Sequence, residues 1–514
     1  MARKWFTECH QIHEMCRNRR TSYMPSRLIE IEHQDRKWRL KLHPTSGKTE
    51  PYAALSYCWG GDQPIKTKKA TLQNFLITIP YLGLPKTIHD AVITTSELGL
   101  RFLWIDCLCI IQDDVEDKAK EIAQMPHIYS QAAITISASR PASVHEGFLE
   151  VREVTNHPEL VFELPFQCPN GDLGSVTLFR PITPEGKEPL DQRAWALQER
   201  ILSSRILEFG TRQSRWICPE TKGRDGYSDG WRVQPEWSPE RRDRLTIFPI
   251  SSLPDPDNQK SLLGEWDYII DTYTRRGLTE KSDRILAVSG IAERFNTMIQ
   301  GKYVAGLWLE GLPESLLWKI RHTGDLINRP TIYQGPSWSW VAVNGNVDYR
   351  PRDWASHYIY RIQILSHFVV LAKGDAPYGA VILGRLEIRG RIREARWVRP
   401  TKSWSGNGDE LRDPHIEGLE GLLSARLYPD ALEKEFVMGD VDSTTVHLLD
   451  VSNDGAKDGR GHRGLALRDT GNGCYSRLGI YQFAKVWENK ERQKLWEMHW
   501  NWFEQCEPRL ITLE

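Results

Sequence analysis

The apolar positions of the chain change period several times, and each change predicts an element. YAALSYCWG, from Tyr52, is a short continuous apolar run closed by Gly60 and Gly61, which predicts a buried strand. LPKTIHDAVITTSELG follows with helical spacing: Pro85 sits at its start, Gly99 at its stop, and Ile88, Ala91, Val92, Thr95 and Leu98 mark one face. RFLWID, Arg101 to Asp106, is apolar on both faces, as the strands of a covered parallel sheet are. Asp114 is placed to cap the next helix, with Glu116 and Asp117 in its positive first turn. That helix carries Ile122, Met125 and Tyr129 on one face and is expected to bend at Pro126. AAITISAS, Ala132 to Ser139, reads as a third strand. This strand–helix succession predicts an α/β domain with a parallel sheet covered by helices.

Beyond Gly147 come shorter strands and the dense block RAWALQERILSSRILEFG, Arg193 to Gly210. Pro219 to Asp257 is rich in Pro, Arg, Asp and Gly and reads as a long excursion or linker. Helical patterns resume at LLGEWDYIIDTYTRRGLT and SDRILAVSGIAERF. From about Tyr333 the chain turns strand-like, in HYIYRIQILSHFVVLA, GAVILGRLEIRGRI, TTVHLLDV and CYSRLGIYQFAKV. The expected division is a lead-in over 1–50, an α/β domain over 51–215, a helical and irregular region packed on that core over 216–345, and a β-rich domain over 346–514. No short-period repeat or low-complexity tract interrupts it.

Composition narrows the class. A chain of 514 residues exceeds one ordinary core. Its 40% hydrophobic and 26% charged residues are those of a globular protein, and 20 Trp imply large cores or aromatic-lined pockets. A net charge of -1 gives no field favouring nucleic acid or an anionic membrane, so neither is an expected partner. No run reaches the roughly 18 apolar residues of a membrane span, and the first residues lack a signal-peptide core. Nine scattered cysteines without framework spacing fit a reducing compartment, and a cytoplasmic location is expected.

Several constellations carry chemistry. Asp106 ends a predicted parallel strand, and ligands of open α/β sheets bind at such carboxyl ends. It would serve as a base or hydroxyl anchor, or else cap the following turn. Ser56 and Tyr57 end the first strand near the same edge. Cys107 and Cys109, on a strand, would share a face, but no neighbouring pair completes a metal site, so they read as packing residues. Trp59-Gly60-Gly61-Asp62 is a glycine turn that lets backbone approach a ligand, with Trp59 or Tyr57 stacking on a flat ring, or a tight turn around a core tryptophan. No GK[ST] follows, so nucleotide triphosphate hydrolysis is not supported. CHQIHEMC sets Cys9, His13 and Cys16 on one helical face, with His10 beside them. Zinc normally needs four ligands, and the reading adopted is an amphipathic helix without metal. Arg193, Trp195, Gln198, Glu199 and Arg200 form a polar–aromatic block expected to lock the domain rather than to hold a ligand phosphate.

Taken together, YAALSYCWG, LPKTIHDAV, LGLRFLWIDCLCIIQDD, the Met125…Ile128-Tyr129 spacing and RAWALQERILSSRIL resemble the fungal heterokaryon-incompatibility (HET) domain proteins. CHQIHEMC and MPSRLIEIE resemble the family's lead-in, and YVAGLWLEGL and GPSWSWVAV its follow-on, so the resemblance spans most of residues 5–345. It departs at Cys107, where the family commonly has a small residue, and at Lys118, where an aromatic is usual. The resemblance implies a core similar to Toll/interleukin-receptor (TIR) domains, a flavodoxin-like parallel sheet, and a role in cell death when incompatible fungal cells fuse. Some TIR relatives cleave NAD, which makes NAD an implied substrate; no cofactor is expected. By that likeness Glu121 stands where NAD-cleaving TIR domains place their glutamate. A carboxylate there would hold the ribose hydroxyls and stabilise an oxocarbenium-like charge. Asp117, four residues earlier on the same face, would raise the pKa of one of the pair; the alternative is a solvated acidic face balanced by Lys118 and Lys120. The expected site is therefore Glu121 and Asp106 as catalytic groups, with Ser56, Tyr57, Trp59, Asp62 and Asp117 binding substrate, and no metal. The other readings are a small-molecule isomerase, cyclase or hydrolase on the same scaffold, and a non-catalytic module that self-associates or binds a partner protein.

Overall fold

A computed structural model describes residues 1–17, 23–35, 37–45, 49–151, 161–169, 171–179, 188–211, 213–221, 256–321, 327–349, 358–398, 408–416, 421–433, 443–453, 462–483 and 502–514. The chain divides into two compact units, Met1–Ser251 and Ser252–Glu514. Most of the expected linker, 222–255, lies outside the described residues.

In the first unit, helices α1 (Ala2–Gln11) and α2 (Glu14–Arg17) precede strands β1 (Arg27–Gln34), β2 (Lys37–Pro44) and β3 (Tyr52–Ser56). Helices α3 (Leu72–Ile77) and α4 (Lys86–Glu97) lead to β4 (Phe102–Trp104). The one-turn helix α5 (Asp106–Cys109) and the long helix α6 (Val115–Gln131) lead to β5 (Ile134–Ala138). A separate hairpin, β6 (Val161–Gln167) and β7 (Leu173–Phe179), is followed by α7 (Ala194–Leu202), β8 (Ile206–Phe209) and β9 (Ser214–Ile217).

One seven-stranded mixed sheet orders these strands β2-β1-β4-β3-β5-β8-β9. The inner four, β4, β3, β5 and β8, are parallel. The flanking strands β1, β2 and β9 are antiparallel to their neighbours. The chain moves from β3 to β4 on one side and returns to β5 on the other, so the winding reverses between β3 and β5. Ligands of such sheets bind at the carboxyl ends beside this reversal.

The local elements follow the pattern. Every residue of β3 and β5 is buried, the mark of strands covered on both faces. In α4, Ile88, Ala91, Val92 and Thr95 are fully buried, and Gly99 ends the helix with φ +81°. Asp114 caps α6 by accepting from the amides of Glu116 and Asp117 at 3.1 and 3.2 Å. The helix continues through Pro126 to Gln131. The expected strand over Arg101–Asp106 is shorter: it stops at Trp104, and Asp106 already begins α5. Cys107 and Cys109 therefore lie on a helical turn and not on a strand. Gly60, at φ +67°, is required by packing, since a Cβ there would meet Ser143 Cβ at 2.2 Å.

In the second unit, α8 (Pro256–Thr274) and α9 (Ser289–Ile299) pack Trp266 and Phe295 edge to face, with ring centres 5.4 Å apart. SDRILAVSGIAERF is thus only partly α-helical, because two short 3₁₀ turns precede α9. Trp266 and Trp340 both donate their indole N–H to the Gly306 carbonyl, at 3.2 and 2.9 Å. Short pairs β10 (Tyr303–Val304) with β11 (Leu307–Trp308), and β12 (Lys319–Ile320) with β13 (Val347–Asp348), follow.

The β-rich remainder comprises β14 (Ile359–Tyr360), β15 (Gln363–Leu371), β16 (Val381–Gly390), β17 (Ile392–Val398), β18 (Asp409–Arg412), β19 (Leu422–Pro429), β20 (Ser443–Asn453), β21 (His462–Gly471), β22 (Cys474–Phe483) and β23 (Arg509–Leu513). Strands β17-β18-β19-β22-β21-β20 close into a six-stranded antiparallel barrel. Its interior holds Trp397, Leu427, Leu448, Tyr481 and Phe483. Closure removes free strand edges from this ring. Arg477, wholly buried, pairs with Asp430 at 2.7 Å and lies 3.4 Å over the Trp318 ring. Among the described residues, no helix is long and apolar enough to cross a membrane.

Candidate functional site

The carboxyl ends of β3, β4 and β5 gather polar groups that the surrounding apolar residues would otherwise exclude. Asp106, at the first position of α5, accepts three hydrogen bonds: from Tyr57 Oη at 3.0 Å, from Trp59 Nε1 at 2.8 Å and from the Cys107 amide at 2.6 Å. Asp106 thus bonds the amide that follows it and anchors two aromatic side chains of its own domain. Burial raises its proton affinity, opposed by the charge of Arg193 and by the Trp59, Cys107 and Tyr57 donors.

Facing this cluster is Glu199 from α7, 8% exposed. The Ser56 hydroxyl donates to its Oε2, and the polar Tyr129 hydroxyl beside it favours the ionised form. Burial pushes its carboxyl up to about 7, against the pull of Arg193 and Ser56 and with the charge of Asp106 adding to the rise. Arg193, at the amino end of α7, donates to the Tyr57 carbonyl and acts electrostatically on both acids. Tyr129 also donates to the Leu55 carbonyl at 3.0 Å, tying α6 to the end of β3. A small cavity beside Ser56, lined by Thr135, Ser137, Asp191 and Arg200 among others, has room for about one water molecule.

One step along the same edge, Glu208 of β8 is 1% exposed but differently served. Arg200 and Arg215 donate to it at 2.9 and 2.7 Å, and Ser139 at 3.2 Å. Burial alone would raise this carboxyl; the two guanidiniums overcome it and hold it at about 2.

Glu121 belongs to a different neighbourhood. It is 1% exposed, so the solvated acidic reading of this residue is overturned, and Arg27 at the start of β1 reaches this turn of α6. Neither carboxylate oxygen has a hydrogen-bond partner within normal length, and Arg27 approaches only to 3.7 Å. Arg27 instead grips Asp117 with bonds of 2.6 and 2.7 Å and donates to the Cys109 carbonyl at 2.7 Å. Burial raises the Glu121 carboxyl, with Ser26 and Arg27 opposing and Asp117 reinforcing, the last being the expected sign. Asp106 and Glu121 share no hydrogen-bonding partner among the described contacts. Asp62 is exposed and pairs with Lys66. Cys107 and Cys109 are buried thiols pushed up by burial, that of Cys109 to about 12, which suits packing rather than attack.

Of the residues singled out in the sequence, Tyr57 and Trp59 bond Asp106, and Ser56 bonds Glu199. The structure adds Glu199, Tyr129 and Arg193, whereas among the described residues no hydrogen bond links Glu121, Asp117 or Asp62 to this group. Glu199 was visible in the sequence only as part of a polar block within an apolar helix.

Residues 52–199, which contain Ser56, Tyr57, Asp106, Glu121, Arg193 and Glu199 but not Arg27, Arg200, Glu208 or Arg215, match the family model described as Heterokaryon incompatibility protein (HET). No curated protein and no solved structure matches the chain.

Proposed function

Because the chain carries a heterokaryon-incompatibility (HET) domain over residues 52–199, we propose that it acts in fungal incompatibility and cell-death signalling through a flavodoxin-like, TIR-like core. The order of the parallel strands supports the fold reading: the first strand, β3, lies between the second and the third. The chemistry proposed is hydrolysis of the nicotinamide–ribose bond of NAD. One observation carries it: two carboxyl groups from separate segments, Asp106 and Glu199, converge with Ser56 and Arg193 at the winding reversal.

Nicotinamide leaves a cationic ring as a neutral base, so no acid is needed at the leaving group. The step needs a negative charge near the developing ribosyl cation and a base for the attacking water. Asp106, held by Tyr57 and Trp59, supplies the first. Glu199, with its carboxyl near 7, is poised for the second at neutral pH. The C–N bond breaks, water adds to the ribose carbon, and its proton passes to Glu199.

A second reading, a non-catalytic assembly module, is favoured by the internal engagement of both acids and by the water-sized cavity. Purified full-length protein incubated with NAD and assayed for free nicotinamide separates the two. Release that is lost in Glu199→Gln and retained in Glu121→Gln supports the proposed site. Loss in Glu121→Gln alone moves the chemistry to the α6 carboxylate. No release at high protein concentration, with concentration-dependent self-association, supports the assembly module.

A further inference from the structure

At the opposite, amino-terminal end of the parallel strands, three thiols and one imidazole meet. Cys9 ends the last turns of α1, His13 sits in the break between α1 and α2, and Cys16 lies in α2. The helix is therefore bent at this point, and the three side chains converge as a corner rather than a stripe. The fourth group, Cys218, follows β9 from the far side of the domain's sequence. All four residues are buried, and their ligand atoms lie within 4.8 Å of one another.

We propose that Cys9, His13, Cys16 and Cys218 bind one structural zinc ion that fastens the amino-terminal lead-in to the edge of the HET-domain sheet.

The donor set is the Cys₃His set of closed zinc sites, with no position left for water or substrate. A tetrahedron with Zn–S of about 2.3 Å and Zn–N of about 2.0–2.1 Å has edges of roughly 3.5–3.8 Å. His13 Nδ1 and Cys218 Sγ lie 3.3 Å apart, within a few tenths of an ångström of such an edge. None of the nine cysteines is in a disulfide, so these three thiols are available as ligands.

Charge supplies an independent observation. Arg205, just before β8, is 2% exposed. It donates to Cys9 Sγ at 3.3 Å and to the carbonyls of Cys16 and Ala133 at 2.6 and 3.2 Å. No carboxylate pairs with it among the described residues, and a buried guanidinium without a counter-charge is costly. Zinc with three thiolates and one neutral imidazole carries a net charge of minus one, which Arg205 balances through its bond to the Cys9 sulfur. Outer contacts of this kind orient the ligands of metal sites. The Glu220 amide facing the Cys16 sulfur adds another.

The role follows from what is tied together. A ten-residue helix such as α1 is marginal alone in water. Its other anchors to β9 are modest: Phe6 meets the edge of Trp216 at 6.1 Å between ring centres. The Met15 amide of α2 donates to Glu220 at 3.3 Å. A metal bridging α1, α2 and the segment after β9 adds four strong bonds to these contacts and to the burial of Trp5. The carboxylates of the proposed active site lie at the other end of the same strands, so the ion acts on structure and not on chemistry.

The test is the metal content of the full chain, purified without chelator, by plasma mass spectrometry. One zinc per chain is expected, released on titration of thiols with a mercurial reagent. Cys218→Ser should lower retained zinc at least tenfold, whereas Cys168→Ser and Cys506→Ser should leave it unchanged. Because Cys218→Ser can fail to fold, unsubstituted protein loaded with cobalt provides a second measurement. Thiolate-to-cobalt charge-transfer bands with the visible spectrum of a tetrahedral ion are expected. Arg205→Met should weaken zinc retention roughly tenfold, the usual size of an outer-contact effect. Absence of stoichiometric metal from the purified chain, a disulfide among these cysteines, or cobalt bound without thiolate bands would overturn the proposal.

Discussion

Glu199 and Glu208 are both buried at one edge of one sheet, yet their carboxyl groups lie near 7 and near 2. Burial penalises the ionised form of each. Around Glu208, two arginines serve one acid, whereas around Glu199 the field of Arg193 is divided between two acids. Burial does not decide the charge of an interior carboxylate; the local ratio of cations to acids does. A surplus of guanidinium makes Glu208 a fixed anionic brace between α7, β8 and β9. A deficit leaves Glu199 able to exchange a proton near neutrality, which is what a site for proton transfer requires.

The comparison breaks most severely where the brace loses a cation. Arg200→Met leaves Glu208 buried with Arg215 alone and is expected to cost about 3 kcal/mol at pH 7, read by urea unfolding. Adding Glu208→Gln should recover most of that loss. If Arg200→Met and the double variant are equally unstable, the ion pair is not what matters there.

The pH dependence of the two acids has opposite sign. The folded carboxyl of Glu199 lies above its ordinary value of 4.5, so between pH 4.5 and about 7 the folded state holds more protons than the unfolded chain. Stability contributed by Glu199 is then present below the ordinary value and declines as pH rises through about 7, by about 3 kcal/mol in all. The folded carboxyl of Glu208 is depressed, so its contribution is present above 4.5 and is lost as pH falls towards about 2. Glu199→Gln should flatten the stability profile between pH 5 and 8 while leaving the acid limb below pH 4 in place. An unaltered slope between pH 5 and 8 would show that Glu199 ionises normally.

Arg193→Met sharpens the contrast by removing the cation that Asp106 and Glu199 share. The midpoint of the Glu199-dependent transition should move above 7, and stability at pH 8 should drop by roughly 1–2 kcal/mol. A midpoint that moves downward would contradict the sign assigned to Arg193. Ser56→Ala has the smallest expected effect: one donor to Glu199 is lost, stability falls by about 1 kcal/mol and the midpoint rises slightly. No movement of the midpoint would mean that Ser56 does not favour the ionised form.

Much of this edge could be read before any coordinates. The apolar run of β3, the face of α4, the Asp114 cap and the place of Asp106 after a parallel strand all follow from local spacing. The alternation in β16, buried and exposed by turns, likewise marks the β-rich second unit. In the sequence Glu199 reads only as part of a structural lock, because its partner Ser56 stands 143 residues away. The exposed alternative for Glu121 stays open in the sequence, because nothing near it along the chain foretells that Arg27, at the start of β1, will reach it. The quartet at the amino end was legible only as Cys9, His13 and Cys16; Cys218 arrives through the β8–β9 hairpin.

The sequence by itself determined the main helices and strands of the parallel core, apart from the one-turn helix that Asp106 opens, and that its inner strands are parallel and covered, because burial repeats within a few residues along each of them. The tertiary structure alone decided which acids share a cation, which glutamate is left with a proton near neutrality and which cysteine completes the quartet. Interior charge depends on the few ångströms around each group, and those neighbours are chosen by the topology of the sheet, over separations at which spacing along the chain carries no signal.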